Sequence, residues 1–252
     1  MHDSAIDIRS ENPGENGHQP SDDGEIVRGG PSTRKRLLDA AGRMFAEQGF
    51  HAVSVRGIVA EAGVNLGAIN YHFGSKQALF ESIFAEGAQR IVEMRLKLLD
   101  NCRKGPDRPP LLEQILTAYL APGLIYGKER TDISEFQRIR ARIVTEDSEL
   151  AHTLLRRHFQ VSTQRFVDMF RQALPDVPDD LLLWRYQTLI ATVVYAGSSW
   201  GTIHSAPGGD AGSTDGFHAL GYLVPLMAAM FRTSPTDQPA NANGILAALM
   251  EK

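Results

Sequence analysis

The fold is decided by residues 33–80, which read TRKRLLDAAGRMFAEQGFHAVSVRGIVAEAGVNLGAINYHFGSKQALF. Three short segments with the apolar spacing of helices follow one another here, and a longer fourth begins at Lys76. Gly63 stands where glycine ends a helix, while Ser54 and Asn65 stand where a capping side chain begins one. The sequence therefore predicts a helix-turn-helix, a motif whose second helix lies in the major groove of DNA.

The third predicted helix, Leu66–Phe73, has one apolar stripe and one side of small or polar residues. The stripe consists of Leu66, Ile69 and Phe73. The other side consists of Gly67, Ala68, Asn70 and Tyr71. An alanine methyl can touch a thymine methyl, and asparagine can pair bidentately with adenine. We expect Tyr71 and His72 to contact phosphates, as we do Lys76 in the first turn of the helix that Ser75 caps.

Many residues of this segment occur together in one known family. They are Thr33, Arg34, Ala40, Ala41, Phe45, Gly49, Phe50, Ser54, Val55, Ala62, Gly63, Val64, Gly67, Tyr71, His72, Phe73, Lys76 and Leu79. With every spacing intact over nearly fifty residues, the segment resembles the DNA-binding domain of the TetR (tetracycline-repressor) family of bacterial transcription regulators. The resemblance implies an all-α fold, with an N-terminal three-helix helix-turn-helix domain and a larger C-terminal helical domain for ligand binding and dimerisation.

The resemblance also implies a function. It is that of a repressor which binds a pseudo-palindromic, double-stranded operator as a homodimer and is released by a small amphipathic effector. The residues then expected at the DNA are Thr33, Arg34, Ser54, Arg56, Asn65, Leu66, Gly67, Ala68, Asn70, Tyr71, His72 and Lys76. Asn70-Tyr71 and the stretch 173–185 look like one branch of the family, some members of which sense fatty acids or their thioesters.

The charge is unevenly distributed along the chain. The whole chain carries −4, but residues 1–32 carry −5, residues 33–80 carry +3 and the remainder about −2. Because the local field governs the approach to phosphates, the predicted DNA-binding segment has the required sign.

The predicted domains are a tail at 1–30, the helix-turn-helix domain at 31–78, the effector and dimerisation domain at 79–233, and a second tail at 234–252. The first tail is acidic and rich in Gly, Pro, Ser and Asn, so we expect it to be disordered. It lacks the basic and apolar regions of a secretory signal. It is either inert or competes with DNA for the basic face.

Helical periodicity continues through the rest of the chain. A long helix is predicted from Lys76 to about Leu99. The later predicted helices are Leu111–Ile125, Asp132–Val144, Glu149–Leu174, Pro178–Ser199, Phe217–Phe231 and a short Ile245–Met250. The two at Pro178–Ser199 and Phe217–Phe231 are too apolar for surface helices. Such helices are either central to the core or half of a bundle between two subunits. Because the family resemblance implies the second, we expect them to pack against the same helices of a second copy.

An effector pocket is expected among the helices that follow residue 75. The candidate lining residues are Phe136, Arg140, Phe159, Phe166, Phe170, Tyr186 and Tyr195. Aromatic walls with one guanidinium would suit an amphipathic acid. The alternative is that these rings are ordinary core. The histidines show no i, i+4 pair or cysteine partner, so no metal site and no cofactor are predicted.

One stretch fits the pattern of a serine hydrolase. Residues 197–201, GSSWG, match G-x-S-x-G around Ser199, and Asp210 or Asp215 and then His218 follow in hydrolase order. That chemistry needs a strand-to-helix elbow, whereas this stretch ends a predicted helix. We therefore interpret the pattern as small residues that close a helix, and expect no enzyme.

Two further features bear on the compartment. The single cysteine, Cys102, allows no internal disulfide, which fits a reducing cytoplasm and an ordinary free thiol. No window of about 18 uninterrupted apolar residues occurs, so the sequence predicts no membrane span.

Overall fold

The structure is a computed structural model that describes residues 31–102, 110–125, 131–198 and 216–233. These residues form nine helices and no strand, which confirms the predicted all-α fold. None of the described helices is long and apolar enough to cross a membrane. The tail at 1–30 and the predicted helix Ile245–Met250 lie outside the described residues.

The helices are numbered here in chain order. The first four are α1 Thr33–Gln48, α2 Val55–Ala62, α3 Gly67–Phe73 and α4 Lys76–Asn101. The other five are α5 Leu112–Leu124, α6 Thr131–Glu146, α7 Ser148–Ala173, α8 Asp179–Ser198 and α9 Gly216–Arg232. From α3 onwards each predicted boundary lies within two residues of the observed one. The apolar spacing and the breaking residues were therefore sufficient to locate the helices.

Short-range hydrogen bonds begin and end the N-terminal helices. The hydroxyls of Ser32, Ser54 and Ser75 each accept the backbone N–H three residues on, at 3.3, 3.0 and 3.0 Å. Gly63 closes α2 in the left-handed conformation, with φ at 63°. One predicted cap is wrong: α3 begins after Leu66 with no side-chain cap, and Asn65 contributes only its carbonyl oxygen, which accepts the N–H of Ala68 at 3.1 Å. The side chain of Asn65 is therefore exposed.

The core consists of two clusters of buried apolar side chains. The first joins α1, α2 and α3 to the first half of α4, to α6 and to the start of α7, with Phe45, Phe80 and Phe84 among its largest members. The second joins the end of α4 to α5, the rest of α7, α8 and α9. Helix α4 contributes to both clusters, so it runs from the helix-turn-helix domain into the larger helical domain.

Candidate nucleic-acid interface and effector site

Helix α3 presents one side to solvent and buries the other. Asn65, Gly67, Asn70 and Tyr71 are exposed, and Tyr71 is 85% exposed. Ile69 is buried, as predicted. These residues form an exposed polar ridge. Because Gly67 has no side chain, the backbone at this ridge could approach the base edges in a DNA groove closely.

Ala68 of α3 and Leu66, which immediately precedes the helix, differ in burial from the prediction. Ala68 is only 7% exposed and belongs to the first core cluster, so its methyl group cannot meet a thymine methyl. Leu66, predicted to be part of the buried stripe, is exposed at the start of the helix. Ala68 is adjacent to Ile69 and is buried with it, whereas Leu66 precedes Gly67, the first residue of α3, so that helical spacing does not determine the side on which it lies.

The remaining predicted DNA residues lie around α3 in different states of exposure. Arg34, at the start of α1, is exposed, and its guanidinium lies over the ring of Phe73 at 5.1 Å and 3.9 Å from Glu86. Arg56 is exposed on α2. The Ser54 hydroxyl is used as the α2 cap. Thr33 and His72 are half-buried.

Lys76 occupies a position different from the one predicted. Its ammonium donates to the carbonyl oxygens of Phe50 and Val53, at 2.8 and 2.9 Å, and lies 4.4 Å from the centre of the Phe50 ring. Two of its three N–H donors are therefore used within the protein. The prediction that Lys76 offers a free charge to a phosphate needs correction, because this lysine holds the loop between α1 and α2 onto α4.

Helix α6 contacts the end of α1 and the loop that follows it through three hydrogen bonds. Arg142 donates from Nε to the carbonyl oxygen of Ala46 at 3.1 Å and from Nη2 to that of Glu47 at 2.8 Å. The Glu146 carboxylate accepts the backbone N–H of Phe50 at 2.8 Å. A Cβ at Gly49 would overlap the Glu146 carboxylate, so glycine is required there for this approach as well as for its φ of 86°. We call these three bonds the α6–α1 contact.

Six of the seven predicted effector residues are buried, in two separate groups, and the seventh is exposed. Phe136, Arg140 and Phe159 are together: the two rings stack with centroids 6.5 Å apart, and the Arg140 guanidinium lies 4.7 Å from the Phe159 ring. Phe166, Phe170 and Tyr186 are buried in the second cluster. Tyr195 is 64% exposed, so its predicted place in the pocket is wrong. It lies on an outward side of α8, where the helical pattern alone could not distinguish inside from outside.

A second buried arginine lies next to the first. Arg95 of α4 is completely buried, and its Nε donates to the carbonyl oxygen of Tyr119 at 3.0 Å while its guanidinium lies 3.7 Å from the Tyr119 ring. Arg140 is 3% exposed, and its guanidinium donates to the Tyr119 hydroxyl oxygen. Burial lowers the pKa of Arg140, and the neighbouring positive charge of Arg95 lowers it further. Burial raises the pKa of Tyr186, which lies near Tyr119 and Arg95.

Several polar atoms of this region have no hydrogen-bond partner. They are Nη2 of Arg95, Nη1 of Arg140, and both amide atoms of Gln137. We call Arg95, Arg140 and Gln137 with Tyr119 the buried polar cluster. The sequence prediction missed Arg95 and Gln137, although each interrupts an otherwise apolar buried side of its helix. Ile91 and Leu99 flank Arg95 at four-residue spacing, so a cation within an apolar stripe was the available signal.

A separate cleft of about 350 Å³ opens between α1, α4 and α6 rather than at the buried polar cluster. Opposite charges line it and pair across it: Arg90 meets Asp132 at 2.8 Å and Arg34 meets Glu86 at 3.9 Å. Because these charges are paired with one another, we interpret the cleft as a polar contact region between α1 and the larger helical domain rather than as a site for an apolar ligand.

The hydrolase interpretation gains no support from the described residues. Gly197 and Ser198 are the last residues of α8, and no strand precedes them in the described chain. Ser199, Asp210 and Asp215 lie outside the described residues, and His218 is exposed on α9. A nucleophile elbow requires a strand that turns into a helix, which the end of α8 does not provide.

The Cys102 thiol is buried at the end of α4 and donates to the carbonyl oxygen of Leu98 at 3.4 Å. Burial raises its pKa, so the thiolate is disfavoured. These features agree with the predicted ordinary free thiol.

Comparison with known proteins matches both parts of the chain to family models. Residues 37–83 match the model described as bacterial regulatory proteins of the tetR family, and residues 117–230 match the tetracyclin repressor-like C-terminal domain. Together the two matches span both the helix-turn-helix domain and most of the larger helical domain.

Individual relatives agree with these matches. The transcriptional repressor AcnR of Corynebacterium efficiens is 39% identical over 134 residues, 40% of this chain and 71% of that protein. The regulator UidR of Escherichia coli is 38% identical over 58 residues, 23% of this chain and only 30% of UidR. A tetR-family regulatory protein from Rhodococcus RHA1 superposes with a TM-score of 0.59 over 81% of this chain and 100% of that one, at 15% identity. At that identity the likeness is one of fold.

Proposed function

This chain belongs to the TetR family of bacterial regulatory proteins, and on that premise we propose that it is a repressor that binds an operator as a homodimer in the cytoplasm and is released by a small amphipathic effector. The observation that carries the proposal is the exposed ridge of α3, on which Asn70 and Tyr71 are exposed while Ile69 is buried against the rest of the domain. A helix held in this way can enter a groove without unfolding.

The proposed DNA contacts follow from exposure and chemistry. Asn70 pairs with an adenine edge, and Tyr71, Thr33, Arg34 and Arg56 donate to phosphates. Lys76 is not among these contacts, because carbonyl oxygens already hold its ammonium. Ala68 is not among them either, because it is buried. Asn65, Leu66, Gly67 and His72 line the approach.

A homodimer is supported by apolar side chains on the solvent side of α8 and α9. On α8, Trp184 and Tyr195 are exposed, and on α9 Phe217, Tyr222 and Leu226 are exposed. Such a concentration of large apolar side chains marks an interaction surface. A second copy would bury it and place two α3 helices against successive major grooves, about 34–36 Å apart.

The effector signal is proposed to travel through α6 as well as α4. The same helix carries Arg140 in the buried polar cluster and Glu146 in the α6–α1 contact. Phe136 of α6 also packs on α4, because a Cβ at Gly87 would overlap its ring. A displacement of α6 therefore acts on both α1 and α4. For release, the effector must favour the non-operator state, and a tenfold preference supplies about 1.4 kcal/mol.

The DNA proposal is tested by selecting bound sequences from random duplexes with the purified chain, followed by affinity measurements on the selected operator. Asn70→Ala is expected to reduce operator affinity about tenfold or more, since a bidentate contact to a base is lost. Asn101→Ala is the matched control, because Asn101 is exposed at the far end of α4. Failure to enrich any sequence, or equal effects of the two substitutions, would contradict the proposal.

The dimer proposal is tested by light scattering at micromolar concentration. The wild-type chain is expected to have the mass of two copies, and the double substitution Trp184→Glu, Leu226→Glu that of one. Val161→Glu is the control, because Val161 is equally apolar and exposed but lies on α7. A monomeric wild-type chain would contradict the proposed homodimer.

A further inference from the structure

The buried polar cluster holds two positive charges without a negative one. The structure pairs neither Arg95 nor Arg140 with a carboxylate within the described part of the chain, although both are buried. What surrounds them is the Tyr119 carbonyl and hydroxyl together with the rings of Tyr119 and Phe159. Buried charges in folded proteins are normally paired, because desolvation penalises an isolated ion.

The unpartnered atoms of the buried polar cluster come from two helices. Nη2 of Arg95 comes from α4, while Nη1 of Arg140 and the Gln137 amide come from α6. Helix α5 packs against the cluster: a Cβ at Gly123 would be 2.5 Å from Nε2 of Gln137 and 3.1 Å from Val193. A water molecule could satisfy one of these donors, but it could not neutralise two guanidinium groups.

From this arrangement we infer that the buried polar cluster is the part of the effector site that binds the carboxylate of an organic acid. One carboxylate offers enough lone pairs to accept from both guanidinium groups and from the Gln137 amide. The apolar body of the acid would lie among the rings on either side, those of Phe136 and Phe159 in one direction and of Phe166 and Tyr186 in the other. The inference rests on the proposed function, since it names the chemical class of the effector.

Binding at this place has a mechanical consequence. Arg95 belongs to α4 and Arg140 to α6, so a carboxylate that accepts from both draws these two helices together. Both helices also contact the helix-turn-helix domain, α4 through Lys76 and α6 through Glu146. The acid would therefore act on the two connections that hold the loop after α1.

The experiment compares acids with neutral molecules of the same shape. Decanoate with decan-1-ol, and 4-phenylbutyrate with 4-phenylbutan-1-ol, are titrated into the full chain by calorimetry and by thermal shift. At least one acid is expected to bind and to raise the melting temperature, with its alcohol at least tenfold weaker. Equal binding of acid and alcohol would overturn the inference, as would the absence of binding by both acids.

Variants then assign the binding to the cluster. Arg95→Met and Arg140→Met are each expected to weaken the acid at least tenfold and to leave the alcohol unchanged. Arg140→Lys is the conservative variant and should retain part of the affinity, since it keeps the charge but loses the planar pair of donors. Arg157→Met, exposed on α7 with Glu81 as its partner, should change nothing. If Arg157→Met weakened the acid as much as Arg140→Met, the site would lie elsewhere.

Operator binding is measured separately on the same preparations. A chain that selects an operator but binds neither acid loses only the inference about the carboxylate. A chain that binds an acid at the cluster but selects no DNA loses the proposed function. Phosphate ion at matched ionic strength is a further arm, and binding as tight as that of the acids would show that the apolar body is not recognised.

Discussion

Two positively charged residues of α4, Lys76 and Arg95, lie in different surroundings. At its first residue, Lys76 is held by two carbonyl oxygens and an aromatic ring, so its donors are largely satisfied. Nineteen residues on, about five helical turns, Arg95 is entirely buried yet keeps an unpartnered nitrogen beside another buried guanidinium. In the first arrangement the donors are used within the protein, whereas in the second a donor is left without a partner, which the carboxylate inferred above would provide. A helix can thus be a fixed part of one domain and an unsaturated binding element in the other.

The largest effect is expected from Lys76→Met. Two hydrogen bonds from a charged donor are lost and two carbonyl oxygens lose their partner, so the free energy of unfolding should fall by about 3 kcal/mol. Chemical denaturation measures this fall. Lys35→Met is the control, because its pair with Asp39 is exposed and contributes about 0.5 kcal/mol or less. Unchanged stability with uniformly weaker DNA binding would instead restore Lys76 as a phosphate contact.

Gly49→Ala should lower the stability by about 2 kcal/mol, because its backbone lies at φ 86° and ψ 169°, a region nearly restricted to glycine. Part of the cost comes from overlap with the Glu146 carboxylate. Adding Glu146→Ala should therefore recover part of it, and urea denaturation of the two single variants and the double variant measures the coupling. Strictly additive costs would show that the α6–α1 contact does not approach Gly49 in solution.

Arg140→Met is expected to act in the opposite direction from Lys76→Met. Removing an incompletely paired buried charge in favour of an apolar side chain of similar length should raise the stability of the ligand-free chain by about 1 kcal/mol. The same denaturation assay measures it, with Arg157→Met as the exposed control. A loss of stability would mean that Arg140 is already satisfied within the protein, and the contrast with Lys76 would disappear.

The smallest effect is expected from Tyr71→Phe. Because the Tyr71 side chain is almost fully exposed, its hydroxyl should contribute nothing to folding, but losing one hydrogen bond to a phosphate should weaken operator affinity about threefold to fivefold. Fluorescence anisotropy on the selected operator measures the change, and thermal melting checks the fold. An unaltered affinity would remove Tyr71 from the proposed contacts.

The sequence predicted those features that depend on neighbours in the chain. Ser54, Gly63 and Ser75 act within three or four residues, so their residue types were enough to locate the helices. Ala68 was assigned to the wrong side because only the packing of α3 on other helices decides it. The role of Lys76 depends on carbonyl oxygens 23 and 26 residues away, and no local pattern specifies that meeting.

The predicted effector residues show even more clearly that sequence patterns along single helices do not specify contacts between helices. Arg140 and five of the six predicted aromatic residues were identified from composition along single helices, and they are buried. Arg95 and Tyr119 were missed, since their significance arises only where α4, α5 and α6 come together. Tyr195 was included because the sequence of an apolar helix does not indicate which of its aromatic residues face outward.

The spacing between Arg140 and Glu146 has a consequence for how this regulator can change. Six residues of continuous helix separate them, a rise of about 9 Å, so the two side chains keep a fixed angular offset. Inserting or deleting a single residue between them would turn one against the other by about 100°. Sequence variation in this stretch should therefore conserve its length even where side chains other than those of Arg142 and the buried Ile143 change. An insertion or deletion would separate the proposed effector site from the α6–α1 contact.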